Sequence, residues 1–513
     1  MPQGDRAVDR PDYRTDGYLG GITGEHVAAA HTPLGPHETG SLEGEQDLLE
    51  VGLGQAGSFG DVADRCGGAV AAVDGQGQQG PAGVVASGRY RHVPIVGAVP
   101  SPGRRPLPCR GPLRVGIRSR DPFEERDLAE AGTPQSRTRT TAGAPSPCLP
   151  DYGGASISGL LPALSRPVGE RPDWLPEAAR RARSIALLVV DGLGWRQFDT
   201  NRRLMPSLGA MEGGVITSVA PTTTAAALTS IATGLPPGRH GVVGYRIRTQ
   251  MEVLNVLRWT AGGTSALSRI VPEQLQPVTP FGGRPVVVVT KAEFRGSGFT
   301  RAHLRGGIWR PWTRAREIPE LIGAALGEGH TLVYAYYDAV DRVVHEHGFD
   351  HHFEAELATV DEMVARTVAA LSPESCLLVT ADHGLVEVVK PLVPISPRAL
   401  SGTVALSGEA RFRWLHARRG RERDVHAAAF EAHSDVAWVR TREEIVEEGW
   451  LGPVVLRDAR ERLGDVALVP FEPIGFDDPA DKGSMSLIGR HGSMTPAEVE
   501  VPLLAAAGGS GNS

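Results

Sequence analysis

The chain of 513 residues has few cysteines, no long apolar run and no excess of positive charge. Its four cysteines show no CxxC spacing, which argues against a disulfide framework or a cysteine zinc site. No apolar run reaches membrane-spanning length, and the first ten residues lack the apolar core of a signal peptide. The formal net charge of −7 argues against a protein that coats nucleic acid. We therefore expect a soluble cytoplasmic protein, whose oligomeric state the sequence does not define.

The first 150 residues also lack tryptophan, since all eight tryptophans lie from Trp174 onward. This segment contains 25 glycines and 16 prolines, and its hydrophobic periodicity is weak. Such a composition is typical of low-complexity chains that cannot build a core. We predict that residues 1–150 are a disordered extension or result from a start codon placed too far upstream, and a regulatory domain is the alternative.

Beyond residue 150, short runs that are apolar on both faces alternate with helical patterns. Such runs are typical of buried parallel strands, and the alternation predicts an α/β fold with a mainly parallel sheet and helices on both faces. The predicted strands are residues 185–190, 286–289, 331–337, 376–380 and 466–469, and the clearest helices are 225–233, 318–326 and 353–371.

The predicted catalytic domain covers residues 151–507 and is followed by a flexible tail, 508–513. Residues 385–489 are less regular, with short strand-like pieces at 412–415 and 436–439. We interpret this stretch as a small inserted α+β subdomain beside the site, with at least one strand returning to the main sheet.

Carboxylates follow three of the predicted strands: Asp191, Asp338 and Asp382. Ligands of parallel α/β sheets collect beyond the carboxyl ends of the strands. Asp191-Gly192 alone is also an ordinary turn. The pair Asp382-His383 is more specific, because oxygen and nitrogen ligands directly follow an apolar strand.

Two further histidines complete a set of possible metal ligands. Asp341 and His345 are four residues apart, so on a helix they share one face and can bind one metal or form a salt bridge. His491 lies between glycines in a predicted loop. We expect His347, His351 and His352 to be solvent-exposed and without a role.

The hydroxyl of Thr224 opens a predicted helix in the run Pro221-Thr222-Thr223-Thr224. A threonine there can cap the helix, or it can face a phosphate at the positive end of the helix dipole. The carboxylates and imidazoles named above suit two zinc-like ions. Two ions beside an activated hydroxyl favour displacement at phosphorus.

These motifs, in this order, resemble the type I phosphodiesterase/nucleotide pyrophosphatase family of the alkaline phosphatase superfamily. The similarity covers residues 151–504 and includes Thr233-Gly234, His240-Gly241 and Gly348. It implies an alkaline-phosphatase-like fold with two divalent metal ions, most often Zn²⁺. By this resemblance Asp191, Thr224, Asp382 and His383 would surround one ion and Asp341, His345 and His491 the other, with Thr224 as the nucleophile.

The chain departs from better-known members at two positions. Ala227 replaces an asparagine that helps bind a phosphate oxygen, and Val344 replaces the glycine before a metal histidine. The resemblance implies hydrolysis of phosphodiester or nucleotide pyrophosphate bonds through a phosphothreonine, with a small phosphorylated substrate such as a nucleotide. A phosphomonoesterase, a phosphonate hydrolase and a zinc-stabilised binding protein without turnover are the alternatives. The sulfatase pattern, Cys or Ser followed by x-Pro-x-Arg, is absent at the nucleophile.

Overall fold

The computed structural model describes residues 143–250, 252–481 and 486–509. Most of the predicted disordered segment, residues 1–142, and the end of the predicted tail, 510–513, therefore lie outside the described residues. Residues 143–150 are described and contact the folded chain. Their backbone pairs with Met494 and Trp438, through Cys148 N donating to Met494 O at 2.8 Å and Trp438 Nε1 donating to Pro145 O at 2.7 Å.

Strands and helices alternate over much of this part of the chain. In chain order, the strands are β1 Ser184–Val190, β2 Glu212–Thr217, β3 Arg246–Arg248, β4 Val253–Asn255, β5 Thr260–Ala261, β6 Thr264–Ser265, β7 Val287–Val289, β8 Ile308–Trp309, β9 Leu332–Tyr337, β10 Ser375–Thr380, β11 Val386–Glu387, β12 Thr403–Glu409, β13 Phe412–Ala417, β14 Ala437–Thr441, β15 Val466–Pro470, β16 Gly489–Arg490 and β17 Glu500–Ala507. The α-helices are α1 Ile157–Leu164, α2 Glu177–Arg181, α3 Trp195–Thr200, α4 Pro206–Gly209, α5 Thr224–Thr233, α6 Pro237–His240, α7 Pro272–Leu275, α8 Gly298–His303, α9 Ile318–Gly327, α10 Ala339–His347, α11 His351–Ala370, α12 Pro397–Ser401, α13 Glu422–His433, α14 Arg442–Glu447, α15 Arg457–Glu461 and α16 Pro496–Val499.

The main sheet has seven strands in the order β2-β17-β10-β1-β9-β7-β8. The five strands from β10 to β8 are parallel, whereas β17 runs antiparallel to both β10 and β2. In β1, Val190 pairs with Tyr337 of β9, and Val189 pairs with Thr380 of β10. The carboxyl ends of β1, β9 and β10 therefore meet at one edge. The predicted α/β fold with a mainly parallel sheet is confirmed.

Helices cover this sheet because its central strands are apolar on both faces. All seven residues of β1 except Ser184 are buried, as is the whole of β10. Helix α9 packs on β1, β7 and β9, while α2 packs on β10 and β17. Helix α5 is buried along its entire length and ends at Gly234, whose φ of 69° is favourable for glycine. A fully buried helix of this kind holds its first residue in a fixed position.

A second sheet, antiparallel and of four strands in the order β12-β13-β15-β14, lies within residues 403–470. One face, including Leu415, Val439 and Leu468, packs with α12 and α13 in a separate small core. The opposite face, including Trp414 and Trp438, joins the core of the main body. This sheet is therefore buried on both sides.

Two predictions about the main sheet are wrong. Residues 466–469 do not form a parallel strand, because β15 pairs antiparallel with β13 and β14. Among the described residues, no strand from 385–489 joins the main sheet, and the returning strand is β17. The apolar pattern of β15 reflects burial between two layers, which antiparallel strands can also have. The limits of the predicted domain and insertion remain predictions.

Two smaller sheets complete the strand pairing of the described residues. Strands β3 to β6 form a short antiparallel meander, and β11 pairs with β16. The pairing of Val386 with Arg490 brings the chain after His383 close to the chain before His491. None of the described helices is long and apolar enough to cross a membrane.

Candidate active site

The edge where β1, β9 and β10 end gathers the predicted carboxylates. Asp191 follows β1 directly, and its backbone N–H donates to Tyr337 O at 2.8 Å. The backbone N–H of Asp341 donates to Asp191 O at 3.1 Å, which fixes the start of α10 against the end of β1. Asp382 follows β10, and its Oδ1 accepts from the backbone N–H of Gly192 at 3.1 Å. Backbone contacts between neighbouring strand ends therefore position the three acids.

One cluster contains Asp191, Asp382 and His383. The Nε2 atom of His383 lies 3.4 Å from Asp191 Oδ1 and 3.4 Å from Asp382 Oδ2. Thr224 adjoins this cluster, with its Oγ1 3.2 Å from His383 Nε2. Thr223, not Thr224, is the N-cap of α5, so the Thr224 hydroxyl is not used as the cap. The hydroxyl is therefore directed into the site.

A second cluster contains Asp341, His345 and His491. His345 Nε2 lies 3.1 Å from Asp341 Oδ2, and His491 Nε2 lies 3.9 Å from Asp341 Oδ1. The two clusters adjoin, because the rings of His383 and His491 stack with centroids 3.7 Å apart. The structure thus brings all seven predicted site residues together. In each cluster of acids and histidines, one ligand atom per residue lies within 4.8 Å of the others.

The backbone fixes the orientation of all three imidazoles. Each Nδ1 lies at hydrogen-bonding distance from a carbonyl oxygen, which can only accept, so Nδ1 carries the proton. The lone pair of each Nε2 is then available for a metal ion. The pairs are His345 with Gly489 O at 2.7 Å, His491 with Thr222 O at 2.8 Å and His383 with Gly384 O at 3.2 Å.

The carboxylates have the burial and charge expected of metal ligands. Among the described residues, Asp191 Oδ1, Asp341 Oδ1 and Asp382 Oδ2 are buried without a hydrogen-bond partner. Burial and the neighbouring acids raise the pKa of Asp191, and burial raises the pKa of Asp382. Burial alone would raise the pKa of Asp341 too, but the adjacent histidines lower it. Buried acids at such short range are stable together when cations offset their charge, so this donor set fits divalent metal ions.

A cavity of about 140 Å³ opens from these residues. Its lining includes Thr224, Asp341 and His491. Phe294 and Phe299 also line it, together with other apolar side chains and several charged ones. A substrate can therefore place its phosphorus beside Thr224 and an apolar or planar group in the rest of the cavity.

The model of the family described as type I phosphodiesterase / nucleotide pyrophosphatase matches residues 185–493. The chain belongs to this family. The match spans both clusters, the cavity lining and the second sheet. Membership of the type I phosphodiesterase family indicates a hydrolase of phosphoester bonds within the alkaline phosphatase superfamily.

Solved structures with a related arrangement include murine ectonucleotide pyrophosphatase / phosphodiesterase 5, inactive and in complex with AMP. It has a TM-score of 0.49 and 16% identity, over 63% of this chain and 87% of that chain. The human protein has a TM-score of 0.48 at 16% identity, with the same coverage. Phosphonoacetate hydrolase from Sinorhizobium meliloti 1021, in complex with phosphonoformate, has a TM-score of 0.45 at 18% identity, over 63% and 90% of the two chains. No curated protein matches significantly.

Glu409 is a further residue beside the clusters, and the motifs of the sequence did not predict it. It ends β12 of the second sheet, lines the cavity and has Oε2 3.7 Å from His491 Nδ1. Burial raises the pKa of its carboxyl group well above the usual value. No motif marks it in the sequence, because only the folding of the second sheet onto the main body brings it here.

Asp338, the other acid near this strand end, belongs to neither cluster. Its Oδ2 accepts from Lys291 Nζ at 2.7 Å, in an ion pair that is almost fully buried. Tyr336 was also missed, and its hydroxyl donates to Asp191 Oδ2. Lys291 follows β7, Asp338 follows β9 and Tyr336 lies in β9, and these residue types are common at strand ends. No local pattern in the sequence separates them from ordinary core residues.

Proposed function

We propose that this chain hydrolyses phosphodiester or nucleotide pyrophosphate bonds with two metal ions and a phosphothreonine at Thr224. One observation carries the proposal: the Thr224 hydroxyl, not used to cap its helix, lies 3.2 Å from His383 Nε2 beside both ligand clusters. A nucleophile must be available at the point where the phosphorus can bind. Thr224 meets this requirement at the mouth of the apolar cavity.

Asp191, Thr224, Asp382 and His383 would hold one ion, and Asp341, His345 and His491 would hold the other. We propose Zn²⁺, because mixed imidazole and carboxylate ligands suit it. Bound ions would lower the pKa of the threonine hydroxyl and offset negative charge on the phosphoryl group. The unpartnered oxygens of Asp191, Asp341 and Asp382 support this assignment.

Catalysis would proceed in two displacements. Thr224 Oγ1, having lost its proton to solvent, bonds to phosphorus while the bond to the leaving oxygen breaks. The N-terminus of α5 favours the phosphoryl oxygens, because its backbone N–H groups and its dipole point toward them. Water then bonds to phosphorus from the side opposite Thr224 while the bond between phosphorus and Thr224 Oγ1 breaks, and a proton from the water restores the Thr224 hydroxyl as the second product leaves. The aromatic part of the cavity would hold the leaving group until the first displacement is complete.

Zinc-loaded chain should cleave bis-p-nitrophenyl phosphate faster than p-nitrophenyl phosphate. Ala227 supports a second candidate function, a zinc-stabilised binding protein without turnover, because its methyl group cannot donate a hydrogen bond to a non-bridging phosphate oxygen. Faster cleavage of the monoester would favour the phosphomonoesterase alternative, and cleavage of a phosphonate alone would favour a phosphonate hydrolase. Full zinc occupancy without turnover on any of these would indicate a binding protein.

A further inference from the structure

A third group of metal-binding side chains lies at the turn between α10 and α11, outside the cavity. His347 ends α10, Asp350 is the N-cap of α11, and His352 is the second residue of α11. One ligand atom from each lies within 4.8 Å of the other two. The sequence alone predicts no role for His347 or His352.

Helix geometry separates this group from the catalytic clusters. His345 and His347 are two residues apart on α10, so their side chains leave the helix about 200° apart. His345 is buried and points to the loop at Gly489, whereas the side chain of His347 is 42% exposed. One helix therefore presents one histidine to the active site and another to solvent.

The turn that carries the three side chains is held by contacts of its own backbone. Gly348, with a φ of 73°, donates from its N–H to Val344 O at 2.9 Å. The N–H of Phe349 donates to Glu387 Oε1 at 2.7 Å. Asp350 Oδ1 accepts from the N–H of His352 at 2.8 Å. These bonds fix the positions of the three ligand residues before any ion binds.

The side chains are already close to a ligand arrangement. The rings of His347 and His352 stack with centroids 4.2 Å apart, and Asp350 Oδ2 lies 3.0 Å from His352 Nδ1. Ligand atoms around tetrahedral zinc are separated by roughly 3.4 Å, as bond lengths near 2.1 Å require. Small rotations of partly exposed side chains can close the remaining gap. Asp350 Oδ1 can keep its capping bond while Oδ2 binds an ion.

We propose that His347, Asp350 and His352 form a peripheral site for Zn²⁺ or a similar imidazole-preferring divalent cation. Two candidates for a fourth ligand are in place: His351 Nδ1 lies 3.6 Å from Asp350 Oδ2, and Glu346 Oε2 lies 3.8 Å from His347 Nε2. Two or three imidazoles with one carboxylate disfavour Mg²⁺ and Ca²⁺, which prefer oxygen ligands. A bound ion would join the end of α10 to the start of α11.

The test is the zinc content of the full chain after removal of metal and dialysis at about 10 µM free zinc. A peripheral site with a Kd near ~1 µM would be largely filled at this concentration. His347→Gln/His352→Gln should bind one zinc fewer than the unsubstituted chain, and Asp350→Asn should also lose it. Asparagine caps helices as well as aspartate, so that variant preserves the start of α11. His330→Gln, a histidine outside the group, is the matched control and should retain all zinc.

Diesterase activity of the His347→Gln/His352→Gln variant should remain within about twofold of the unsubstituted chain, because neither residue faces the cavity. The result is a difference in zinc content between variants, so it does not depend on whether the catalytic clusters bind two ions, one or none. Equal zinc contents in all four proteins would overturn the proposal. If the ion assigned to His347, Asp350 and His352 binds only near millimolar zinc, the proposal would also be overturned, because such binding is adventitious.

Discussion

Thr224 and His383 are 159 residues apart in the chain, yet Thr224 Oγ1 lies 3.2 Å from His383 Nε2. The contact forms because α5 begins where β10 ends, at the carboxyl edge of the main sheet. It places a hydroxyl beside two groups of acids and imidazoles. The catalytic proposal rests on this proximity.

Thr224→Ala should reduce diester hydrolysis by at least about 10³-fold, because removal of a nucleophile leaves only binding and electrostatic effects. The zinc content and the melting temperature should change little, since other ligands remain in that cluster. Thr224→Ser should retain measurable activity because it keeps the hydroxyl. Intact mass spectrometry after rapid quench of the reaction with bis-p-nitrophenyl phosphate should show one p-nitrophenylphosphoryl group on the unsubstituted chain and none on Thr224→Ala. Full activity in Thr224→Ala would refute the nucleophile assignment.

Asp382→Asn should lose both zinc and activity. The amide can still accept hydrogen bonds from the backbone of Gly192 and His383, but it removes the negative charge at the buried Oδ2. We expect the zinc content to fall by about one ion per chain, because metal binding needs the ionised ligand. Asp361→Asn is the control, since this buried acid accepts a hydrogen bond from the Leu208 N–H and belongs to neither cluster. Unchanged zinc in Asp382→Asn, measured by elemental analysis, would contradict its assignment as a ligand.

Arg411 and Glu498 form a buried, bidentate ion pair, with bonds of 2.7 and 2.8 Å and side chains 1% and 0% exposed. Arg411→Met should lower the free energy of unfolding by about 3–5 kcal/mol, because it leaves the Glu498 charge buried and unpaired. The surface pair Arg398–Glu431 is the control, and Arg398→Met should cost less than about 1 kcal/mol. Urea titrations of the two variants test the difference, and equal losses would contradict this account.

Three buried histidines outside the clusters should make the fold sensitive to acid. Burial lowers the pKa of His240 to about 3, of His303 to about 4 and of His416 to about 3. In the unfolded chain the same groups bind protons below about pH 6.5, so the unfolded state then carries more protons than the folded state. Their contribution to stability is therefore complete above pH 6.5 and is lost as pH falls toward 4.

The measurement is the free energy of unfolding by urea at several values between pH 7.5 and pH 4.5. Each buried histidine contributes up to about 1.4 kcal/mol per pH unit to the slope below pH 6. His240→Gln should remove one such contribution. A slope that His240→Gln does not alter would mean that this imidazole is protonated in the fold.

Local patterns in the sequence predicted the strands that carry the site. Runs such as β1 and β10 are apolar on both faces and end in acids, so both their burial and the position of Asp191 and Asp382 follow from sequence. The placement of β15 did not follow, because burial between two layers gives antiparallel and parallel strands the same apolar pattern. The direction of β17 depends on long-range pairing with β2, which residue order does not reveal.

The site shows the same limit. The order of the motifs and their resemblance to the type I phosphodiesterase family pointed to the seven side chains that the structure brings together, although most of the motifs are weak signals alone. Glu409 reaches the cavity from the second sheet, and Lys291 meets Asp338 because β7 pairs with β9, so no local signal marked Glu409 or Lys291. The number of ions bound and the role of each ligand remain predictions for the experiments above.

Carbonyl oxygens of the main chain lie at hydrogen-bonding distance from Nδ1 of His345, His383 and His491. The orientation of the three rings is therefore a property of the backbone path. A designer who wishes to alter leaving-group preference can replace cavity-lining side chains such as Phe294 and leave the imidazole anchors untouched.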